Sequence, residues 1–340
     1  MKENDCMIIA EAGVNHNGDL QLALGLICAA SEAGADAVKF QTFRADDLVT
    51  PDTAKAEYQK EHTDAAESQH AMLRRLELSD DEHFQLAKAC RERGITFLST
   101  GFDSRSLSFL ESFQMPIYKI PSGELTNLPL LRQVAGFGKP VIMSTGMASL
   151  EEIGASLAVL EQGGIARAEI TLLHCTTQYP TPIENVNLRA MLTLGEAFPG
   201  VRIGYSDHTL GIEVPIAAAA LGARVLEKHF TLDRSMDGPD HAASLEPEEL
   251  KAMVASVRNI EVAMGSGLKE PCADELSTRK VARKAIVAAC AIDKGEIFSE
   301  SNLTVKRSCG GISPMLWDEL LERPASRSYL PNEAIDHLSS

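Results

Sequence analysis

The sequence has no Cys-x-x-Cys pair, no surplus of positive charge and no apolar run of membrane-spanning length. Each absence removes a class of function. Seven cysteines lie scattered at Cys6, Cys28, Cys90, Cys175, Cys272, Cys290 and Cys309. An odd, unclustered set of thiols points to a reducing, cytoplasmic setting and argues against a disulfide-stapled scaffold. With 32 Lys and Arg against 48 Asp and Glu, the net charge is -16. No nucleic-acid partner is therefore expected. Any anionic substrate has to be met by locally placed cations. No membrane partner is expected either, because the apolar stretches fall well short of the ~20 residues a spanning helix needs. The N-terminal Met1–Cys6 runs directly into a strand-like segment and reads as lacking a secretory leader.

What is present is a core-forming α/β pattern. At 340 residues and 44% apolar, the chain suits one large domain and one small one. Short apolar runs occur at Met7–Ala10, Ala37–Phe40, Thr96–Leu98, Ile117–Ile120, Val141–Met143, Ile170–Leu173, Val201–Gly204 and Ala223–Leu226. Between them lie helix-like stretches such as Leu20–Ala33, Asp80–Arg93, Leu150–Gln162 and Val214–Leu221. Asp19, Ser79 and Ser149 stand at the expected N-caps, the last with Glu152 three residues on. Strand and helix alternate eight times over about 265 residues, the size of a (β/α)8 TIM barrel. A doubly wound sheet is the competitor, and no Gly-rich dinucleotide turn follows the first strand to support it.

Polar residues gather where the apolar runs stop. Glu11 follows the first, Lys39 and Gln41 the second, and Ser99-Thr100 the third. Lys119, Ser122 and Glu124 follow the fourth, Ser144-Thr145-Gly146 the fifth, and His174–Thr177 the sixth. In a barrel these strand ends converge on one mouth. The seventh and eighth runs lead into Tyr205–Thr209 and Glu227–Thr231, which carry His208 and His229. Two imidazoles there are either ligands of a divalent metal with open positions or a hydrogen-bonded pair at the rim. Arg44–Arg75 interrupts the compact rhythm and reads as a lid or binding loop, or as solvated decoration. After Met264 the composition shifts. Residues 1–264 form the expected barrel domain, 265–278 a linker, and 279–340 a small β-rich module carrying Lys306-Arg307 on a loop.

These residues resemble the bacterial sialic acid synthase family, phosphoenolpyruvate-dependent enzymes that make nonulosonates. The resemblance rests on Glu11–Gly18, Lys39–Thr42, Lys119–Glu124, Ser144–Met147, His174–Pro180, Tyr205–Thr209, Glu227–Thr231 and Gly238–His241, in that order along the chain. The C-terminal module, through Val281–Lys284 and Val305–Arg307, is similar to that family's antifreeze-like (SAF, β-clip) domain. The resemblance implies catalytic roles for Glu11, Lys119 and Glu124. It implies phosphoenolpyruvate binding by Lys39, Thr100, Lys119, Ser122, Ser144, Thr177 and Ser206, Thr177 standing where some members carry Asn. Gln41, Tyr179, Asp240 and Arg307 would face the N-acylated amino sugar, and His208 and His229 would hold Mn2+ or Mg2+. It further implies a domain-swapped homodimer in which Arg307 reaches the other chain's barrel. The expected reaction joins phosphoenolpyruvate to N-acetylmannosamine. The alternative sugar is a 2,4-diacetamido-2,4,6-trideoxyhexose, leading to legionaminate or pseudaminate.

Lysines with Ser and Thr hydroxyls suit a small trianion, and a divalent ion suits an aldehyde oxygen. A Schiff-base aldolase using Lys39 or Lys119 would leave the histidines and the extra module unexplained. Ice binding by the module alone would leave the barrel mouth unexplained.

Overall fold

The computed structural model describes residues 6–336, apart from 57–58, 61–62 and 65–66. The chain forms two compact units, Met1–Gly265 and Ser266–Ser340. In the first, eight parallel strands run β1 Met7–Gly13, β2 Ala37–Thr42, β3 Thr96–Gly101, β4 Tyr118–Ile120, β5 Val141–Ser144, β6 Ile170–His174, β7 Arg202–Asp207 and β8 Val225–His229. Their order is β3-β2-β1-β8-β7-β6-β5-β4. The pairing of β1 with β8 bends the sheet round on itself and excludes the doubly wound alternative. Among the described residues no ladder joins β3 to β4, although they lie side by side, so the barrel is nearly closed.

The helices that follow the strands begin where their caps dictate. Asp19 accepts from the Gln21 and Leu22 amides at 2.6 and 3.3 Å, starting Leu20–Ala33. Gly34, at φ +82°, ends that helix in the left-handed conformation a glycine adopts without strain. Ser79 with Glu82 and Ser149 with Glu152 form reciprocal capping boxes at Asp80–Arg93 and Leu150–Gln162. Apolar residues on these helices pack against the outer faces of the strands, as with Leu26, Ile27 and Leu86 around Ile8, Val38 and Phe40. Burying each such side chain contributes about 1.5–3 kcal/mol.

The barrel interior has its own core: Ile9, Ala37, Leu98, Ile142, Leu173 and Val225, with Met7 and Ile117 beside it. Gly204 leaves room for it. A Cβ there would lie 2.4 Å from the Val225 carbonyl oxygen and 2.6 Å from Leu173 Cδ2. No helix among the described residues is long and apolar enough to cross a membrane.

The Arg44–Arg75 segment is not mere decoration. Its helices Ala45–Leu48 and Gln69–Leu76 are anchored by Met72 and Leu76, buried with Val14 and Phe43.

The second unit pairs β9 Lys284–Ala288 antiparallel with β10 Leu303–Arg307. Its core gathers Ile286, Ile292, Phe298, Leu303, Leu320, Tyr329 and Ile335. The expected linker is corrected here: Ala273–Ala282 is a helix, so regular structure begins inside 265–278. It has no buried residue, which is why apolar periodicity did not reveal it. Asp274 and Glu275 in its first turn and Arg279 and Lys280 in its last complement the helix dipole.

Candidate active site

Strand side chains alternate faces, so the residue two positions beyond each inner-core residue points into the same interior. Ile9 is followed by Glu11, Ala37 by Lys39, Leu98 by Thr100, and Ile117 by Lys119. Ile142 is followed by Ser144, Leu173 by Cys175, and Val225 by Glu227 and then His229. An apolar plug thus turns into a polar floor within one residue pair on each strand. Above it lies a cavity of about 330 Å³.

Glu11, Lys39, Gln41, Thr100, Lys119, Ser122, Ser144, Thr177, Tyr179, Ser206, His208, His229 and Asp240 all line this one cavity. Two expected residues do not. The turn Ser122–Glu124 delivers Ser122, while the Glu124 carboxylate accepts from Asn127 Nδ2 at 2.6 Å and is not in the lining. Arg307 lies exposed at the end of β10 in the second unit, opposite Lys284.

The floor is an ion network. Lys39 Nζ stands 2.6 Å from Glu11 Oε2 and donates to Thr100 Oγ1 at 3.0 Å. Lys119 Nζ donates to Ser144 Oγ at 2.7 Å. Between them sits Glu227, 3.6 Å from Lys39 and 3.4 Å from Lys119, accepting from Ser206 Oγ at 3.2 Å. Glu227 was not singled out from sequence. The signal was available: an acid within Val225–His229, a run buried at every position, needs a partner or a job. Burial dominates the Glu11 carboxyl and, despite Lys39, lifts it well above the usual carboxylate range. Burial would lift Glu227 too, but Lys119 and Lys39 together hold it down. The two acids are pushed apart, the pattern of a site that moves protons. Burial lowers Lys119, whereas for Lys39 the pull of Glu11 and Glu227 outweighs burial.

On the β4–β6 side the loops close in. Ser122 Oγ accepts from the Gly146 amide at 3.0 Å. A Cβ at Gly146 would meet Thr177 Cγ2 at 2.6 Å, so only glycine allows this approach.

The histidines stand with ring centroids 5.5 Å apart. Burial lowers His208 to about 4 and takes His229 well below its ordinary value, so each ring is neutral, as a metal ligand must be. His208 Nδ1 lies 2.6 Å from the Thr176 carbonyl, which fixes that nitrogen as the donor and leaves Nε2 with its lone pair. His229 Nδ1 is buried without a hydrogen bond, 3.8 Å from Asp240 Oδ2. This donor set fits a divalent ion. Among the described residues no group of three or more His, Cys, Asp or Glu is gathered around it, so the two imidazoles would leave the other positions of the ion open.

A protein-family model described as "NeuB family" matches residues 26–269. The chain belongs to the NeuB family. It is an enzyme, a transferase of the phosphoenolpyruvate-condensing nonulosonate synthase type. N,N'-diacetyllegionaminic acid synthase of Campylobacter jejuni is 51% identical over 329 residues, 97% of this chain and 98% of that one. The protein of the same name from Legionella pneumophila is 49% identical over 311 residues, covering 91% and 87%. Among solved structures, N-acetylneuraminic acid synthetase from Leptospira borgpetersenii superposes with a TM-score of 0.70 at 35% identity, covering 81% of this chain and 92% of that one.

Proposed function

We propose that this NeuB-family chain condenses phosphoenolpyruvate with 2,4-diacetamido-2,4,6-trideoxymannose and water, giving N,N'-diacetyllegionaminate and phosphate. The initial expectation of N-acetylmannosamine gives way to the alternative. The observation that carries this is the 51% and 49% identity to two proteins named for that product. The cavity supports the chemistry.

Lys39, Lys119 and the hydroxyls of Thr100, Ser122, Ser144, Thr177 and Ser206 bind the carboxylate and phosphate of phosphoenolpyruvate through charge-assisted hydrogen bonds. His208 and His229 would hold a manganese or magnesium ion, which when bound would supply polarisation of the sugar's aldehyde oxygen. Glu11 Oε1 and His229 Cε1 lie 3.3 and 3.4 Å from the space a Gly13 Cβ would occupy, which puts Glu11 between the lysines and the histidines. There it stands at the reacting carbons. The enol carbon attacks the aldehyde, and the cationic C2 that results takes water. Glu11 stabilises that charge or accepts the water's proton. The tetrahedral intermediate then releases phosphate. Gln41, Tyr179 and Asp240 orient the sugar.

The second unit is read as the antifreeze-like (SAF) module of the family, and the assembly as a domain-swapped homodimer. Arg307 of the partner subunit then contacts the sugar's N-acyl group, supplying a cation that the barrel's sugar end lacks. A phosphate-release screen tests the substrate. Turnover should be far greater with 2,4-diacetamido-2,4,6-trideoxymannose than with N-acetylmannosamine, and the reverse order overturns the assignment. Mixing inactive Arg307→Ala with inactive His229→Ala should restore activity in heterodimers, and verified heterodimers without activity overturn the swap.

A further inference from the structure

Away from the charged floor, one stretch of the cavity lining is largely apolar and comes from segments beyond the strand ends. Phe43 and Phe102 follow β2 and β3 directly, and Leu48, Val49, Met72 and Leu73 come from the segment between β2 and Asp80–Arg93. Met72 and Phe43 are fully packed, while Leu48, Val49, Leu73 and Phe102 remain half-buried facing the space. Gln59 and Gln69 are the amides in this stretch of lining. Among the described residues, the cations lining the cavity are Lys39 and Lys119, each already engaged with carboxylates on the floor.

We propose that the wall formed by Leu48, Val49, Met72 and Leu73 sets sugar specificity by facing the deoxygenated C6 end of the substrate. This rests on the reading of the cavity as a phosphoenolpyruvate and amino-sugar site. With phosphoenolpyruvate on the floor and the aldehyde at the histidines, the far carbons of the sugar extend outward past this wall. A methyl group there gains contact. A hydroxyl loses water and finds no partner among these side chains. A phosphate finds no cation on this wall. The acetamido groups present methyls to the wall and amides to Gln59 and Gln69. An apolar pocket discriminates a single such group by about 10–200-fold, so the wall favours 6-deoxy, N-acylated sugars over 6-hydroxy or 6-phospho ones.

The first test uses the unaltered protein. Its kcat/KM for 6-deoxy-N-acetylmannosamine should exceed that for N-acetylmannosamine by about tenfold or more. Equal values, or preference for the 6-hydroxy sugar, overturn the proposal. The second test is the ratio of kcat/KM for 2,4-diacetamido-2,4,6-trideoxymannose over N-acetylmannosamine in Leu73→Asn and Leu48→Asn, with Leu73→Met as the conservative control. A ratio does not change with the fraction of folded enzyme. It should fall about tenfold in each Asn variant and hold in the Met variant. If both Asn variants keep the wild-type ratio, the wall does not select and the proposal fails, while the assignment of the site stands. A wild-type protein that turns over neither sugar with phosphoenolpyruvate removes the assignment itself, and the proposal with it.

Discussion

Lys228→Met should unfold the barrel more easily than any surface change. Lys228 and Asp207 face each other in register across β8 and β7, on the strand face turned away from the cavity. Their side chains are 0% exposed, and Lys228 Nζ stands 2.5 Å from Asp207 Oδ2. Lys228 also donates to the Thr209 carbonyl oxygen. Removing the ammonium leaves Asp207 with neutral donors in place of a cation, among them the Thr209 amide at 3.2 Å, the Thr209 hydroxyl at 3.0 Å and the Tyr205 phenol. Breaking one side of such a buried pair costs about 3–5 kcal/mol. For a unit of this size that is about 6–10 °C in Tm. The pair also sits between Ser206 and His208 on one strand and between Glu227 and His229 on the other, so the variant should bind manganese more weakly. Urea unfolding gives the stability and isothermal titration the metal affinity. Asp207→Asn combined with Lys228→Met should cost about 1–3 kcal/mol less than the sum of the single changes. A Lys228→Met protein within about 1 kcal/mol of wild type, or strictly additive effects in the double variant, would refute the reasoning.

Other outcomes follow from the same geometry. Lys119→Ala removes a cation from the floor, so the phosphoenolpyruvate KM should rise or turnover fall, by about 2–5 kcal/mol in kcat/KM, with the sugar KM little moved; steady-state kinetics in each substrate checks it. Chelation should abolish turnover and manganese or magnesium should restore it, with His208→Ala and His229→Ala inactive yet folded by circular dichroism. Gly204→Ala should destabilise by about 3 kcal/mol or more in urea, since its Cβ meets backbone rather than a yielding side-chain end. Acid should weaken the fold between about pH 6.5 and pH 4.5, where unfolded histidines take up protons. His16, His208 and His241, lowered to about 4 mainly by burial, and His229, which burial takes well below its ordinary value, stay neutral in the fold. Glu11 and Asp240, raised by burial, act in the opposite sense but are outnumbered. Urea midpoints across that window should therefore fall with pH.

The barrel was legible because its strands are apolar on both faces and its helices announce their caps. The strand lengths were not. The sequence reading stopped β7 at Gly204 and β8 at Leu226, where polar residues begin, yet the ladders continue to Asp207 and His229. At a barrel mouth the interior becomes polar while the backbone pairing persists, so hydrophobicity marks the plug and not the strand. That offset also hid Glu227, which sits within the strand rather than after it. Glu124 was grouped with its neighbours by proximity in sequence, but a short 3-10 turn separates side chains two residues apart. The role of Arg44–Arg75 was left open, because the residues that tie it down, Val14 and Phe43 among them, come from other segments.

The open seam between β3 and β4 bears on how the barrel responds to its ligand. Thr100, held by Lys39, stands on one side of that seam, and Lys119, held by Ser144, on the other. No backbone ladder fastens these two edges among the described residues. An anion gripped by Lys39 and Lys119 together therefore acts as a clasp across the one unlaced join in the cylinder. A substrate bound there would become part of the hoop that encloses it. Edge amides of β3 and β4 should exchange with solvent in the free enzyme and fall silent as phosphoenolpyruvate fills the floor.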